Sequence, residues 1–454
     1  MTAPWYGVEP PPLDARLDLA TVRQELLRLD DGEYAHVVPS GVSMRPVFLP
    51  RASYDELFTA GRALLRLLRW TLLESAPTAA GRVAALGADE EMYPLFMDDP
   101  AEEAYATCIA RPDVMVSATG PKFVEFNIGS GIGGVVDTAL HSAAWTAAFG
   151  GAERAPFRAV DPLAVRDAFF ARTVRDLRVK PAVAVVGTLR DLGGRPSRYF
   201  ELQAESLRRR GLEAEFFEPE DLLEGLGLPG ALRFPVGLRH FTVLEWRAHG
   251  IDFAPMRAAL DAGCKLIASQ TAYLIANKKV LGWVSEGRPW MSVRDRETVE
   301  RYLPWTRVVA DRTVSWRGTA RPLPDLLLSA PEEFVLKPAI GMSGQQVLVG
   351  RHCPEDAWRR AVAAAVAAED HIVQEYVEPA PYLMEFTGAA SGAGRVGDGG
   401  DGDTYEAEIV PVFSPFLFDQ QDAGCMVRYL PPDGSGIVSV HGTGALSNVA
   451  LATR

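Results

Sequence analysis

Residues 334–350 read FVLKPAIGMSGQQVLVG, and the rest of the chain is read outward from them. An apolar run leads to Lys337 at a strand end. Four residues later the small-residue loop GMSG begins, and VLVG restores a strand pattern. Strand, glycine loop and strand, with one lysine before the loop, suit oxyanion binding. Backbone N–H groups of small residues can approach phosphate oxygens closely, and the lysine adds a point charge. The P-loop spacing GxxxxGK[ST] is absent. Read alone, the stretch is equally compatible with a plain β-hairpin turn.

C-terminal to this stretch, DAWRRAVAAAVAAE (356–369) has a helical pattern and HIVQEYVE (371–378) reads as a strand entering a Pro-containing loop. Gln374, Glu375, Tyr376 and Val377 would offer backbone groups to an adenine edge, although any edge strand could read this way. Residues 388–403 (GAASGAGRVGDGGDGD) have low complexity and are expected to form a mobile loop between two strands. Arg428 ends the apolar run GCMVR, where surface ion pairing is the ordinary reading. Upstream, NKKVL (277–281) places Lys278 near a helix start, a plausible second phosphate contact.

In the N-terminal half, DVMVS (113–117) and KFVEFN (122–127) flank the turn-like ATGP and predict a β-hairpin. Arg111 and Asp113, like Glu125 and Asn127, are two residues apart, so on strands each pair shares a face. Two carboxylates and an amide oxygen would then converge as hard ligands suited to Mg²⁺, with Arg111 beside them. The competing reading is a surface salt bridge between Arg111 and Glu125. The glycine-rich IGSGIGG (128–134) follows, then a helix over Asp137 to Phe149. Residues 183–217 read as one βαβ unit: VAVVG, the loop GGRPS, the helix RYFELQAESLRRRG and EAEFF. Leu17 to Leu29 and Tyr54 to Leu73 carry apolar residues at helical spacing, and we read them as packed on their own domain rather than on a membrane.

These patterns divide the chain into four parts. Residues 1–90 form an N-terminal helical region, 91–180 the metal-binding hairpin and Gly-rich segment, 181–268 a Rossmann-like βαβ domain, and 269–454 the nucleotide-binding lobes with loop 388–403. The chain has 454 residues, 48% of them hydrophobic and 23% charged, the balance of a soluble globular protein of several folding units. The net charge of −13 argues against nucleic acid as the main partner. Only six residues are lysine, and three of them are Lys278, Lys279 and Lys337 in the motifs above. The scattered cysteines Cys108, Cys264, Cys353 and Cys425, with no secretory pattern and no apolar run of membrane-spanning length, predict a cytoplasmic protein with no membrane partner.

Taken in order, R-x-D, E-x-N, a βα domain, NK, VLKP-x₂-G-x-SG, VQEYVE and a late arginine resemble the glutathionylspermidine synthase family. The similarity runs over roughly residues 95–450. It implies an α/β fold of the circularly permuted ATP-grasp type, because the metal hairpin precedes the nucleotide lobe by about 200 residues. It implies Mg²⁺ on Asp113, Glu125 and Asn127, Arg111 stabilising the reacting acyl phosphate, and Arg428 as a late active-site arginine. Lys278 and Lys337 would hold ATP phosphates, Gly341, Ser343 and Gly344 would form the phosphate loop, and Gln374 to Val377 the adenine hinge. The family's acidic, Thr- and Pro-containing run after E-x-N is replaced here by IGSGIGG, and the closing segment also differs.

The function this implies is ATP-dependent, ADP-forming ligation of a small-molecule carboxylate to an amine through an acyl phosphate. An ATP-grasp phosphotransferase and a non-catalytic nucleotide-binding protein are the alternatives. A metal hydrolase is excluded by the absence of HExxH or clustered His and Cys. The two substrates and the oligomeric state are not written in the sequence.

Overall fold

The computed structural model describes residues 4–7, 45–129, 131–192, 197–226, 232–341, 344, 346–387, 404–430, 437–438 and 445–454. The helical pattern over Leu17 to Leu29, loop 388–403 and Ser343 lie outside the described residues. Strand β1 (Val47–Leu49) leads into helix Arg51–Leu73, and a hairpin follows, β2 (Ile109–Ser117) and β3 (Gly120–Ile128). Helix Val135–Ala148, β4 (Phe157–Arg158) and helix Pro162–Asp176 come next, then β5 (Ala182–Val186), helix Tyr199–Arg209, β6 (Glu213–Phe217), β7 (Val236–Arg239) and β8 (Lys265–Ile267). Helices Gln270–Ile275, Lys278–Glu286 and Val293–Tyr302 precede β9 (Thr306–Val308) and the hairpin β10 (Thr313–Trp316) and β11 (Thr319–Pro322). The remainder comprises β12 (Phe334–Pro338), β13 (Leu348–Val349), helix Glu355–Ala368, β14 (His371–Glu375), β15 (Tyr382–Thr387), β16 (Thr404–Ile409), β17 (Val412–Phe418), β18 (Gln421–Tyr429) and β19 (Leu446–Thr453).

Three larger sheets organise this mixed α/β fold. The first runs β1-β19-β18-β17-β2-β3, with β4 added on β19. It joins strands distant in sequence: Val412 pairs with Met115 and Phe413 with Val114, antiparallel. The second is the antiparallel sheet β13-β12-β14-β9, and the third the parallel sheet β6-β5-β7-β8. The parallel sheet accounts for the unbroken apolar run AVAVV, since β5 is buried at every residue, as a strand covered on both faces should be. The βαβ unit is present as expected, with β5 and β6 parallel around helix Tyr199–Arg209.

Helix Arg51–Leu73 packs on the first sheet rather than forming a core of its own. Its stripe Leu57, Phe58, Leu64, Leu65 and Leu68 is buried, each such side chain contributing about 1.5–3 kcal/mol by leaving water. At Gly61 the helix comes so close to the sheet that a Cβ would sit 3.3 Å from Leu417 Cδ1 and 3.5 Å from Phe123. A separate apolar cluster under the second sheet joins Phe334, Leu336 and Val373 to Trp358 and Val362 of helix Glu355–Ala368. No described helix is long and apolar enough to cross a membrane.

Candidate active site

The hairpin presents one apolar and one polar face. Along β2, Pro112, Val114 and Val116 are buried, while Arg111, Asp113, Met115 and Ser117 alternate on the more open side. The register sets Arg111 opposite Asn127 and Asp113 opposite Glu125. All four side chains therefore lie on one face, at the distance where cross-strand neighbours interact. The register shifts immediately afterwards, between Asp113 and Val114, the kind of irregularity that re-aims side chains beside functional sites.

Asp113 is held by three groups. Arg428 Nη2 donates to its Oδ1 at 2.6 Å, Ser414 Oγ donates at 2.9 Å, and Arg111 Nε lies 3.8 Å away. Burial alone would push the Asp113 carboxyl up, but Arg428, Arg111 and the hydrogen bonds from Arg428 and Ser414 leave it below its ordinary range. Arg428 also donates to Ser414 Oγ at 3.1 Å and is buried, so its position differs from the surface pairing that its place in GCMVR suggests. Local sequence could not reveal this, because Asp113 on β2 meets Arg428 on β18 only across β17, the strand that lies between them. Arg111 makes no ion pair with Glu125 among the described residues; its Nη1 donates instead to Gly133 O at 2.7 Å.

Two lysines come to this face from other elements. Asn277 caps helix Lys278–Glu286 by accepting from Lys279 N, and Lys278 then reaches Glu125 Oε1 at 3.0 Å and Gly341 O at 3.4 Å. Lys337, on β12, donates to Val124 O at 3.2 Å and to Gln374 Oε1 at 2.7 Å. Burial, helped by the neighbouring Lys278 and opposed by Glu125 and Asp113, lowers Lys337 to about 8. Lys279 points elsewhere, donating to Leu86 O at 2.6 Å.

The glycine-rich segment has a steric explanation. Gly134, with φ +86°, caps helix Val135–Ala148, and a Cβ there would overlap Met426 Sδ at 2.3 Å. A Cβ on Gly131 would press on the Phe241 backbone at 3.1 Å. Gly131 thus lies against the residues following β7, Gly134 against Met426 of β18, and Gly133 beside Arg111. In the stretch GMSG, Gly344 takes φ +72°, a conformation glycine adopts without strain.

Gln374, Glu375, Tyr376 and Val377 separate into two sets. Glu375, Tyr376 and Val377 line a cleft of about 990 Å³ with Ser117, Lys122, Pro304 and Trp305. Gln374 is not among the lining residues and is 2% exposed, its side chain turned to Lys337. The N–H groups of Glu375 and Tyr376 are already bonded to Trp305 O at 2.8 Å and Glu333 O at 2.7 Å. Ser117 and Lys122 sit further along the hairpin that carries Asp113 and Glu125, and the two carboxylates do not themselves line the cleft. Sequence reading missed Ser414 and Thr306; both are single hydroxyls without a motif, found only through their partners.

Asp113, Glu125 and Asn127 bring hard oxygen donors of the kind Mg²⁺ takes. Asn127 Nδ2 donates to Arg111 O at 3.1 Å, leaving the amide oxygen as the atom for a cation. Among the described residues no group of three or more His, Cys, Asp or Glu could hold a metal ion. Two carboxylates and one amide nevertheless fit magnesium, which keeps waters and takes further oxygens from substrate phosphates.

The overall fold is similar to a solved glutathione synthetase-like effector from Globodera pallida, in its apo form. The comparison has a TM-score of 0.55 and 12% identity, and covers 100% of both chains. A second solved structure, a protein assigned as a gamma-glutamylcysteine synthetase from Methylobacillus flagellatus, matches at TM-score 0.40 and 12% identity over 85% of this chain and 87% of that one. At these identities the likeness concerns fold alone. No family model and no curated protein sequence match the chain.

Proposed function

We propose that the chain is an ATP-dependent, ADP-forming carboxylate–amine ligase of permuted ATP-grasp architecture, acting on small molecules. The observation carrying this reading is the convergence on one hairpin face of Asp113, Glu125, Asn127 and Arg111 with Lys278, Lys337 and Arg428 from three other elements. Anion-binding and cation-binding groups side by side suit a phosphate chain with its divalent ion. The adenine would lie in the cleft at Glu375 to Val377, with the phosphates at Lys337, Lys278, Gly341 and Gly344.

Bound Mg²⁺ would neutralise phosphate charge. Lys337 and Lys278 hold the β- and γ-phosphate oxygens, fixing the direction of attack. A substrate carboxylate oxygen displaces ADP from the γ-phosphorus, giving an acyl phosphate. Arg111 stands where the attacking carboxylate and γ-phosphate meet and stabilises the charge that develops there. The amine then attacks the acyl carbon, loses a proton and expels inorganic phosphate. Arg428 holds Asp113 in place throughout.

The test is ADP release from Mg²⁺-ATP with pools of amino acids, small peptides and polyamines, followed by product mass. Amide plus free phosphate supports ligation. A stable phosphorylated acceptor identifies a phosphotransferase, and nucleotide binding without turnover on any pool identifies a non-catalytic binder. AMP with pyrophosphate rejects all three.

A further inference from the structure

We propose that Gln374 and Thr306 are positioning residues that aim the Lys337 ammonium at the nucleotide phosphates, an inference resting on Lys337 being a phosphate lysine. The arrangement follows from the sheet. Thr306 on β9 is the register partner of Gln374 on β14. Gln374 in turn pairs with Val335, and Lys337 with Ile372. Lys337 is therefore diagonal to Gln374 on the same sheet face, within reach of two long side chains. All three residues are buried, Thr306 at 0%, Gln374 at 2% and Lys337 at 8% exposure.

The hydrogen bonds run in one direction. Thr306 Oγ1 donates to Pro304 O at 2.8 Å. Its lone pairs accept from Gln374 Nε2 at 3.1 Å, which commits Gln374 Oε1 to Lys337 Nζ at 2.7 Å. A lysine has three donors and no acceptor, so a reversed amide would set Nε2 against the ammonium. With Val124 O as its second acceptor, Lys337 keeps one donor for a ligand oxygen.

The residue type matters as much as the geometry. A neutral amide oxygen holds the ammonium without cancelling its charge. A carboxylate there would compete with phosphate, as Glu125 does at Lys278, and an apolar residue would leave a buried charge without its partner. Gln374 therefore acts through Lys337, and its side chain is separate from the adenine cleft that its neighbours line.

The experiment compares binding of Mg²⁺-AMP-PNP and of adenosine by calorimetry and competition. Gln374→Met should weaken AMP-PNP about tenfold and leave adenosine unchanged. Thr306→Val should weaken AMP-PNP about threefold, and Thr306→Ser, which keeps the hydroxyl, should bind like the wild type. If Gln374→Met does not fold, the Thr306 pair carries the test. Equal losses for adenosine and AMP-PNP, or no loss in any variant, would overturn the proposal. A wild-type protein that binds neither ligand overturns the nucleotide reading itself, whereas wild-type binding without the phosphate-specific loss overturns only the positioning role.

Discussion

Lys278 Nζ and Glu125 Oε1 stand 3.0 Å apart, with 9% and 31% of their side chains exposed. One is a candidate phosphate ligand and the other a candidate metal ligand, so each holds the group that the other's ligand would claim. Phosphate bound at Lys278 would free Glu125 for a cation.

Lys278→Met should therefore raise Mn²⁺ affinity without nucleotide while lowering affinity for AMP-PNP. About tenfold for the metal is a modest share of the ~4 kcal/mol that two unit charges exchange at 4 Å and an effective dielectric constant of 20. Electron paramagnetic resonance of free Mn²⁺ reads it. Unchanged metal affinity would mean that the ion pair does not govern Glu125.

Arg428→Met should destabilise the fold by about 1.5–3 kcal/mol near neutral pH, because it removes the shortest charged contact of Asp113 while Ser414 and Arg111 remain. Ser414→Ala should cost about 1 kcal/mol. The folded pKa of Asp113 lies below its ordinary value. Its stabilising contribution is thus complete above the unfolded carboxyl pKa and lost as pH falls through the folded one. The gap between Arg428→Met and wild type in urea titrations should shrink accordingly in acid. A gap independent of pH would point to lost packing instead.

Nucleotide affinity should fall as pH rises above about 8, where free Lys337 gives up its proton. The slope approaches tenfold per pH unit if the bound form stays protonated. For stability alone the sign is opposite. The unfolded chain holds the Lys337 proton up to its ordinary pKa, so this residue's contribution improves between pH 8 and that value. Lys337→Arg should flatten the alkaline decline in binding, because a guanidinium does not titrate there. Calorimetry over roughly 1.5 pH units either side of 8 measures both.

Gly134→Ala should cost about 1–3 kcal/mol, since it combines a positive φ with overlap on Met426. Gly133→Ala, where a Cβ meets nothing within 4 Å, should stay below about 1 kcal/mol. Thermal melts distinguish them. Equal shifts would show that the segment tolerates side chains generally.

Elements whose signal is local were readable from sequence. The hairpin follows from period-two alternation in DVMVS and KFVEFN, and the βαβ unit from VAVVG, RYFELQAESLRRRG and EAEFF. The capping of Lys278's helix by Asn277 also leaves a local trace. Relationships made by distant pairing left none. Nothing near GCMVR says that Arg428 meets Asp113, and nothing near TRV says that Thr306 faces Gln374. The backbone hinge reading of Gln374 missed its side chain for the same reason: the strand pattern gives the face, and the neighbouring strand decides what stands there.

The pairing of β17 with β2 also orders events during synthesis. The hairpin bearing Asp113 and Glu125 leaves the ribosome some 300 residues before the strand that covers the open edge of β2. Until then that edge is unprotected against pairing with other chains, and Asp113 lacks both Ser414 and Arg428. A nascent chain that stalls before residue 412 would expose both the edge and a carboxylate missing two of its three partners. The most chemically loaded part of the molecule is made early and becomes secure only near the end.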